Sequence, residues 1–455
     1  MNGSLPEEPI PSLLAPLVRL VRGLRRNAFI SNAAVLISGS AASAALGILG
    51  TPFLSRIYRP EEFGVLGVFV AALSIFSVVA TLRYDRAIPA ASDDREAASI
   101  LMVALASMLC TSTVCLVLVL SGGLGLVMSA ARDHARLLAW SLPLGMAATG
   151  TYEALSFWMV RRRDYRALSL TKVTQGSSML GSQIGLGWLG AGPVGLVIGQ
   201  IAGSSMGIAR LARRILATDR AAFGDMSFAR LSQTALTYRR FPLLSGPAVL
   251  LDALSGALPT LVVAHRFGPA AAGVLTIVYR VLFAPLALIT TNLGQIFFGE
   301  LAEMHRTKSA SLLRLFYRRV GQVVILGLVL VTGMVFVVPL ALPAILGPRW
   351  GDATPYFLIL SPMMFAGLVS SPFSFAVDVL HRQDLHFLRD FLRVSVLVVG
   401  LGMASHNDLD TLTTLRVIST AGCINGAIYL AISWYAFAAE PRRALRESAR
   451  RSAPE

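Results

Sequence analysis

This chain has little charge, and less acid than base. Only 14% of its 455 residues are Asp, Glu, Lys or Arg, while 55% are apolar; an ordinary soluble domain carries about 25% charged residues. The imbalance excludes a large soluble domain, and the longest stretch that reads as non-spanning is 213–242. Cysteine is almost absent. Cys110, Cys115 and Cys423 all fall in apolar stretches, which excludes a disulfide framework and leaves space-filling as their role. The six histidines, His134, His265, His305, His381, His386 and His406, are scattered without metal-ligand spacing, so neither a metal nor another cofactor is expected. The first residues, with Glu7 and Glu8 ahead of the basic run, lack the basic-apolar-small pattern of a secretory signal.

What the chain has is long apolar runs. About twelve stretches approach or exceed the ~20 residues that a helix rising ~1.5 Å per residue needs to cross ~30 Å of hydrocarbon. They cover 29–54, 65–82, 98–120, 137–160, 168–189, 192–212, 243–264, 271–298, 320–346, 353–380, 385–403 and 412–439. The fold class expected is therefore an all-α polytopic membrane protein. Placing the N-terminus inside, and counting Arg210, Arg389, Arg393 and Arg416 near span ends with the adjoining loops, puts 31 Lys and Arg on one side and 7 on the other, with Lys172 and Arg280 left inside spans. Positive residues stay cytoplasmic, so both termini are expected there. A net charge of +15 would suggest nucleic acid in a soluble protein; here it is distributed loop by loop, which points to topology and anionic headgroups instead. Leu13, Leu17, Leu20 and Leu24 alternate with Arg19, Arg22, Arg25 and Arg26 as in a helix lying on the inner membrane surface.

The chain echoes itself. Pro60-Glu61-Glu62-Phe63-Gly64-Val65-Leu66 and Pro269-Ala270-Ala271-Ala272-Gly273-Val274-Leu275 both read P-x-x-x-G-V-L, at the start of the second helix of each half. A weaker echo links Val160 to Asp164 with Leu380 to Asp384. Six helices repeated in one orientation are related by an axis along the membrane normal, with a substrate path between them. The division expected is an amphipathic segment 1–28, an N-lobe 29–212, a cytoplasmic linker 213–242, a C-lobe 243–439 and a basic tail 440–455.

Two enzyme signatures match by accident. Gly185, Gly187 and Gly190 fit G-x-G-x-x-G but follow no strand, and Gly203-Ser204-Ser205-Met206-Gly207 fits G-x-S-x-G inside a span, where small residues pack helices. The informative residues are ionisable groups in the hydrocarbon region, where a charge costs about 3 kcal/mol on insertion scales. Asp252 and Arg280 count to roughly 18 Å below the same short loop and are expected to pair, either fixing register or facing substrate. Glu153 and Lys172 form a second such couple across the turn at 161–166, and Lys172 is near enough to the interface to snorkel. Pro247, Pro259, Pro285, Pro362 and Pro372 interrupt spans and are hinge candidates. Thr290, Thr291, Asn292 and Gln295 offer contacts to a sugar or to neighbouring helices.

The run from Pro52 to Gly64, PFLSRIYRPEEFG, resembles the N-terminal signature of the polysaccharide-synthesis transporters, the O-antigen or lipid-linked oligosaccharide flippases of the multidrug/oligosaccharidyl-lipid/polysaccharide exporter superfamily. Leu82-Arg83-Tyr84-Asp85-Arg86-Ala87-Ile88 and Leu346-Gly347-Pro348-Arg349-Trp350-Gly351-Asp352-Ala353 are similar to further patterns of that family. The resemblance implies two six-helix lobes around a cavity that opens alternately to either side. It also implies a non-enzymatic flippase in the bacterial inner membrane, whose substrate is an oligosaccharide on a polyprenyl pyrophosphate. A polysaccharide polymerase and a chain-length regulator are the partners implied, and nucleic acid is not. Because a pyrophosphate needs cationic donors, Arg280 is the deepest binding candidate, with Asp252 beside it and Arg56, Arg59 and Arg83 at lobe entrances; Glu153, Lys172, Asn292 and Gln295 are cavity or coupling candidates. Two alternatives are weighed. A cation-coupled drug exporter would use an acid in its first helices, and 29–54 contains none; a membrane-embedded glycan polymerase or ligase would carry a large outer loop, and the longest here is 121–136.

Overall fold

The computed structural model describes residues 28–123, 125, 129, 132–224, 226–283, 286–287, 289–291, 293–294, 297, 300–301, 312–373 and 383–451, with side chains chiefly between 38 and 438. The basic amphipathic segment expected at 1–28 lies almost wholly outside these residues, as do Asn292 and Gln295. Among the described residues every regular element is helical, as apolar runs in lipid require, because a helix satisfies its own backbone. The helices are α1 (Ala28–Ile57), α2 (Pro60–Ala80), α3 (Asp94–Leu120), α4 (Ala135–Arg161), α5 (Tyr165–Trp188), α6 (Pro193–Ser205), α7 (Ile208–Thr218), α8 (Phe228–Thr237), α9 (Gly246–Val278), α10 (Leu312–Leu346), α11 (Ala353–Ser370), α12 (Gln383–His406) and α13 (Thr411–Arg451). Among the described residues seven stretches are both long and apolar enough to cross a membrane, from Pro60–Ala80 to Thr411–Ala438, with Pro193–Thr218 counted as one although it bends at Gly207. α1, α4, α5 and α12 have the length as well, at 30, 27, 24 and 24 residues.

α9 holds two spans in one. At Gly268 the backbone leaves the helix with φ 85° and ψ 173°, a conformation open to glycine, and Pro269 starts a second arm. This kink brings the two P-x-x-x-G-V-L copies together. A Cβ on Gly64 would lie 1.9 Å from the carbonyl oxygen of Pro269, and a Cβ on Gly273 would lie 1.7 Å from that of Pro60. Beside them Gly67 would meet Thr276, its counterpart in the repeat, at 2.0 Å. Such exchange of partners is what a two-fold axis through the crossing generates. The glycines let two backbones approach where side chains would hold them apart.

Trp350, between α10 and α11, reinforces the same end. Its indole N–H donates to the carbonyl of Ser55 at 2.9 Å, and its ring meets Phe63 edge-on at 5.3 Å between centroids. Tyr58, also edge-on to Phe63, donates to the carbonyl of Gln183 at 2.6 Å. The Ser129 hydroxyl lies 2.8 Å from His265 Nδ1. Thus two sequence motifs nearly 300 positions apart form one closed seam, on what is called here the Pro60 face.

The opposite face differs from the sequence reading in two ways. The apolar run 192–212 is not one helix: α6 ends at Ser205, Gly207 turns the chain with φ 100°, and α7 is an amphipathic helix carrying Arg210, Arg213 and Arg214. The stretch 213–242, expected as a linker, is folded against α3 and α4. Asp219 accepts from Trp158 Nε1 at 2.8 Å and from Arg162 at 3.1 and 2.5 Å; Tyr238 donates to Glu96 at 2.9 Å and Tyr84 to the carbonyl of Ala235 at 3.1 Å. Arg161 and Arg162 both reach Asp94, and Arg214 pairs with Asp164. Several arginines of the basic clusters are therefore neutralised in place. At the far end, α13 continues past residue 439 to Arg451 as helix. The thiols are free, Cys115 buried and Cys110 exposed.

Candidate functional site

α1 and α5 approach closely through glycine. Cβ atoms on Gly39 and Gly176 would meet Ser169 and Ser43 at 2.4 and 2.6 Å, so the crossing needs small residues at both points. α1 then offers Ser40, Ser43, Ala44 and Gly47 to a cavity of about 380 Å³, and α5 offers Lys172 and Met179. The remaining wall is Arg280. It stands on a π-helical turn, Tyr279–Phe283, that follows α9; such a turn inserts a residue and re-aims the side chains after it, and is frequent at functional sites.

Among the described residues Arg280 has no carboxylate partner. Its Nη2 is buried and makes no hydrogen bond among the described residues. Asp252, its expected partner, is instead bound to Arg393, Oδ1 to Nη1 at 2.5 Å. Asp252 lies on the first arm of the kinked α9, whereas Arg280 stands on the π-turn beyond its second arm. The second expected couple also fails to form an ion pair. The Lys172 ammonium sits over the ring of Tyr152 at 4.9 Å, while Glu153 lies in the field of Asp85, Arg86, Arg83 and Lys172 together. The cavity thus presents two cations and no acid among its lining residues.

The other sequence candidates lie elsewhere. Arg56 and Arg59 are exposed on the Pro60 face, where the backbone N–H of Arg59 donates to Glu62 at 2.7 Å. There Arg59 borders a cavity of about 640 Å³ that also includes Glu61, Glu62, Asp133, His134 and His265. Arg83 is at the opposite end of α2, in a left-handed turn with φ 64°, its Nε buried without a hydrogen bond among the described residues. Next to it Asp85 is fully buried, accepting from Thr81 at 2.6 Å. Among the described residues Arg280 and Lys172 line one cavity, while Glu153 lies near both Arg83 and Lys172.

Sequence reading missed Arg389, Asp390 and Arg393 as site residues, because it counted both arginines with the inner loop although they fall within 385–403. They lie on α12, where Arg389 pairs with Asp390 at 2.7 Å and donates to the Tyr429 hydroxyl at 3.0 Å. Two arginines four residues apart inside an apolar run were the available signal, since such groups face an interior. The serines of α1 gave none, because serine is common in packed membrane helices.

The comparisons with known proteins agree with this architecture. A multidrug-resistance MATE family transporter of the MOP superfamily, in an inward-facing conformation, matches with a TM-score of 0.65 at 13% identity, over 89% of this chain and 96% of its own. The lipid II flippase MurJ, in an inward closed conformation, matches with a TM-score of 0.68 at 12% identity, over 87% of each chain. A MOP superfamily transporter from Pyrococcus furiosus matches with a TM-score of 0.56 at 12% identity, over 90% of this chain and 95% of its own. These likenesses establish the fold. No individual curated protein matches the chain. The model of the polysaccharide biosynthesis protein family matches residues 53–355, two thirds of the sequence from the PFLSRIYRPEEFG run to the segment around Trp350. This multi-pass membrane protein, built on the exporter-superfamily fold, therefore belongs to the polysaccharide biosynthesis protein family.

Proposed function

We propose that the protein is a flippase. It moves a polyprenyl-pyrophosphate-linked oligosaccharide from the inner to the outer leaflet of the bacterial cytoplasmic membrane, for synthesis of a surface polysaccharide such as O-antigen, capsule or exopolysaccharide. The observation that carries the reading is the pair of cations, Arg280 and Lys172, facing one cavity with Arg280 Nη2 unbonded. An uncompensated guanidinium in the hydrocarbon region is costly, and an anion with several acceptor oxygens would relieve that cost through charge-assisted hydrogen bonds. A pyrophosphate is such an anion. In this reading residues 29–212 and 243–439 move as two lobes, the Pro60 face is the outer one and both termini are cytoplasmic. A polymerase and a chain-length regulator act on the exported unit.

The superfamily's drug exporters supply the alternative, and the lining argues against it. A cationic drug needs an acid in the cavity, whereas Arg280 and Lys172 are its charged groups. The test is export of a fluorescent polyprenyl-pyrophosphate glycan by the full chain in vesicles. Arg280→Gln is expected to lower kcat/KM about tenfold or more, the size of one hydrogen bond to a charged group, and Arg280→Lys to lose less. Unchanged export by a folded Arg280→Gln, Lys172→Gln double variant would refute the reading.

A further inference from the structure

A second cavity lies wholly within the second half of the chain. It measures about 440 Å³, within the ~300–1,000 Å³ range of small-molecule sites, and is enclosed by α9, the π-turn, α11, α12 and α13. The π-turn divides it from the cavity described above, because Tyr279 lines the one and Arg280, the next residue, lines the other. Its wall at α13 is set by close packing: a Cβ on Gly422 would meet Met363 at 2.0 Å and one on Gly426 would meet Ala366 at 2.8 Å.

The chemistry of the lining is mixed in a particular way. Tyr279 and Phe283, edge-to-face at 5.0 Å, give apolar ring surface. Asn425 contributes a buried amide oxygen with no hydrogen-bond partner among the described residues, an acceptor waiting for a donor. Arg389 is fixed between Asp390 and Tyr429, its guanidinium 4.8 Å from the ring centre. Arg393 is held more loosely, since its ion-pair partner among the described residues, Asp252, is a side chain 54% exposed. Aromatic faces match the C–H surface of a pyranose, an amide oxygen matches a hydroxyl donor, and a planar fork matches a carboxylate.

We propose that this cavity binds a saccharide unit bearing an anionic substituent, a uronic-acid carboxylate or a sugar phosphate, with Arg393 exchanging Asp252 for the ligand's anion. The proposal rests on the flippase reading for its biological setting, in which the cavity at Arg280 takes the pyrophosphate and this one takes part of the glycan. Asp252 then acts as a placeholder. It keeps the guanidinium paired when the pocket is empty, and competes with any ligand that arrives.

The full chain in nanodiscs is titrated with a glucuronic-acid-containing tetrasaccharide, the same tetrasaccharide with its carboxyl reduced to the alcohol, and a sugar phosphate, with binding read by native mass spectrometry. The acidic forms are expected to bind about tenfold tighter than the reduced one. Arg393→Gln should abolish that preference and leave the reduced sugar unaffected, while Asp252→Asn should increase it by freeing Arg393. The tetrasaccharide and the sugar phosphate separate the two sources of anion. If all three bind equally, or if both variants merely lower protein abundance with the preference unchanged, the pair is structural and the proposal fails. The flippase reading is tested apart from this, because export of a neutral lipid-linked glycan depends on Arg280 and not on Arg393. Loss of export with the carboxyl preference intact would sink that reading and leave this pocket standing.

Discussion

Adding one methyl group at Gly64 tests whether the seam on the Pro60 face sets the resting conformation. The Gly64→Ala Cβ would fall 1.9 Å from the Pro269 carbonyl oxygen, where ordinary C···O contacts are about 3.3–3.6 Å. The obstacle is backbone, so no rotamer change relieves it. α2 and the second arm of α9 must part by roughly 1.5 Å at the crossing, and overpacking of that kind costs about 1–3 kcal/mol. If the seam is absent from the alternative conformation, that cost appears as a shift of about 5- to 150-fold toward it. Gly67→Ala is the control, because its Cβ would meet the hydroxyl of Thr276, a side-chain end that can turn away. Spin labels at Glu61→Cys and Asp408→Cys, both exposed on this face, report the opening in a background with Cys110, Cys115 and Cys423 replaced. The distance distribution is expected to lengthen strongly in Gly64→Ala, similarly in Gly273→Ala and weakly in Gly67→Ala. A folded Gly64→Ala protein with the wild-type distribution would refute the argument.

Trp350→Ala removes a fully packed indole and its bond to the Ser55 carbonyl, a core loss of about 3–5 kcal/mol; thiol labelling of Arg59→Cys should accelerate, with Trp350→Phe intermediate because it keeps the contact with Phe63. Asp219→Ala strips the partner from Trp158 and Arg162 in a largely buried cluster, a class of change that costs about 3–5 kcal/mol. Trypsin should then cut at Arg220 and Arg230 faster than in the wild type, and unchanged protection would mean that the segment is held by its apolar contacts alone. Reporter fusions at Arg163 and Arg220 should give cytoplasmic signals and fusions at Arg349 external ones; a cytoplasmic signal at Arg349 would invert the orientation proposed here.

The sequence by itself determined the solvent and therefore the class of structure. Fourteen per cent charged residues and repeated apolar runs permit only self-satisfied helices in lipid. The two P-x-x-x-G-V-L copies were equally legible as a repeat, but that their glycines bring the two backbones together was decided by the fold. Tertiary structure decided what pairs with what. Counting residues from a loop gives depth, but a helix turns about 100° per residue; the break at Gly268 falls in the short loop expected between 264 and 271, whereas the π-turn at Tyr279–Phe283 is not written in a periodicity. In the folded chain the Asp252 carboxylate meets Arg393, 141 residues along the chain, and the Arg280 guanidinium lines a cavity with Lys172 instead. In the same way, the basic stretch 213–242 read as a cytoplasmic linker. It folded because Asp219 and Glu96, unremarkable in the sequence, lie where Arg162 and Tyr238 can reach them only once α3 and α4 have packed.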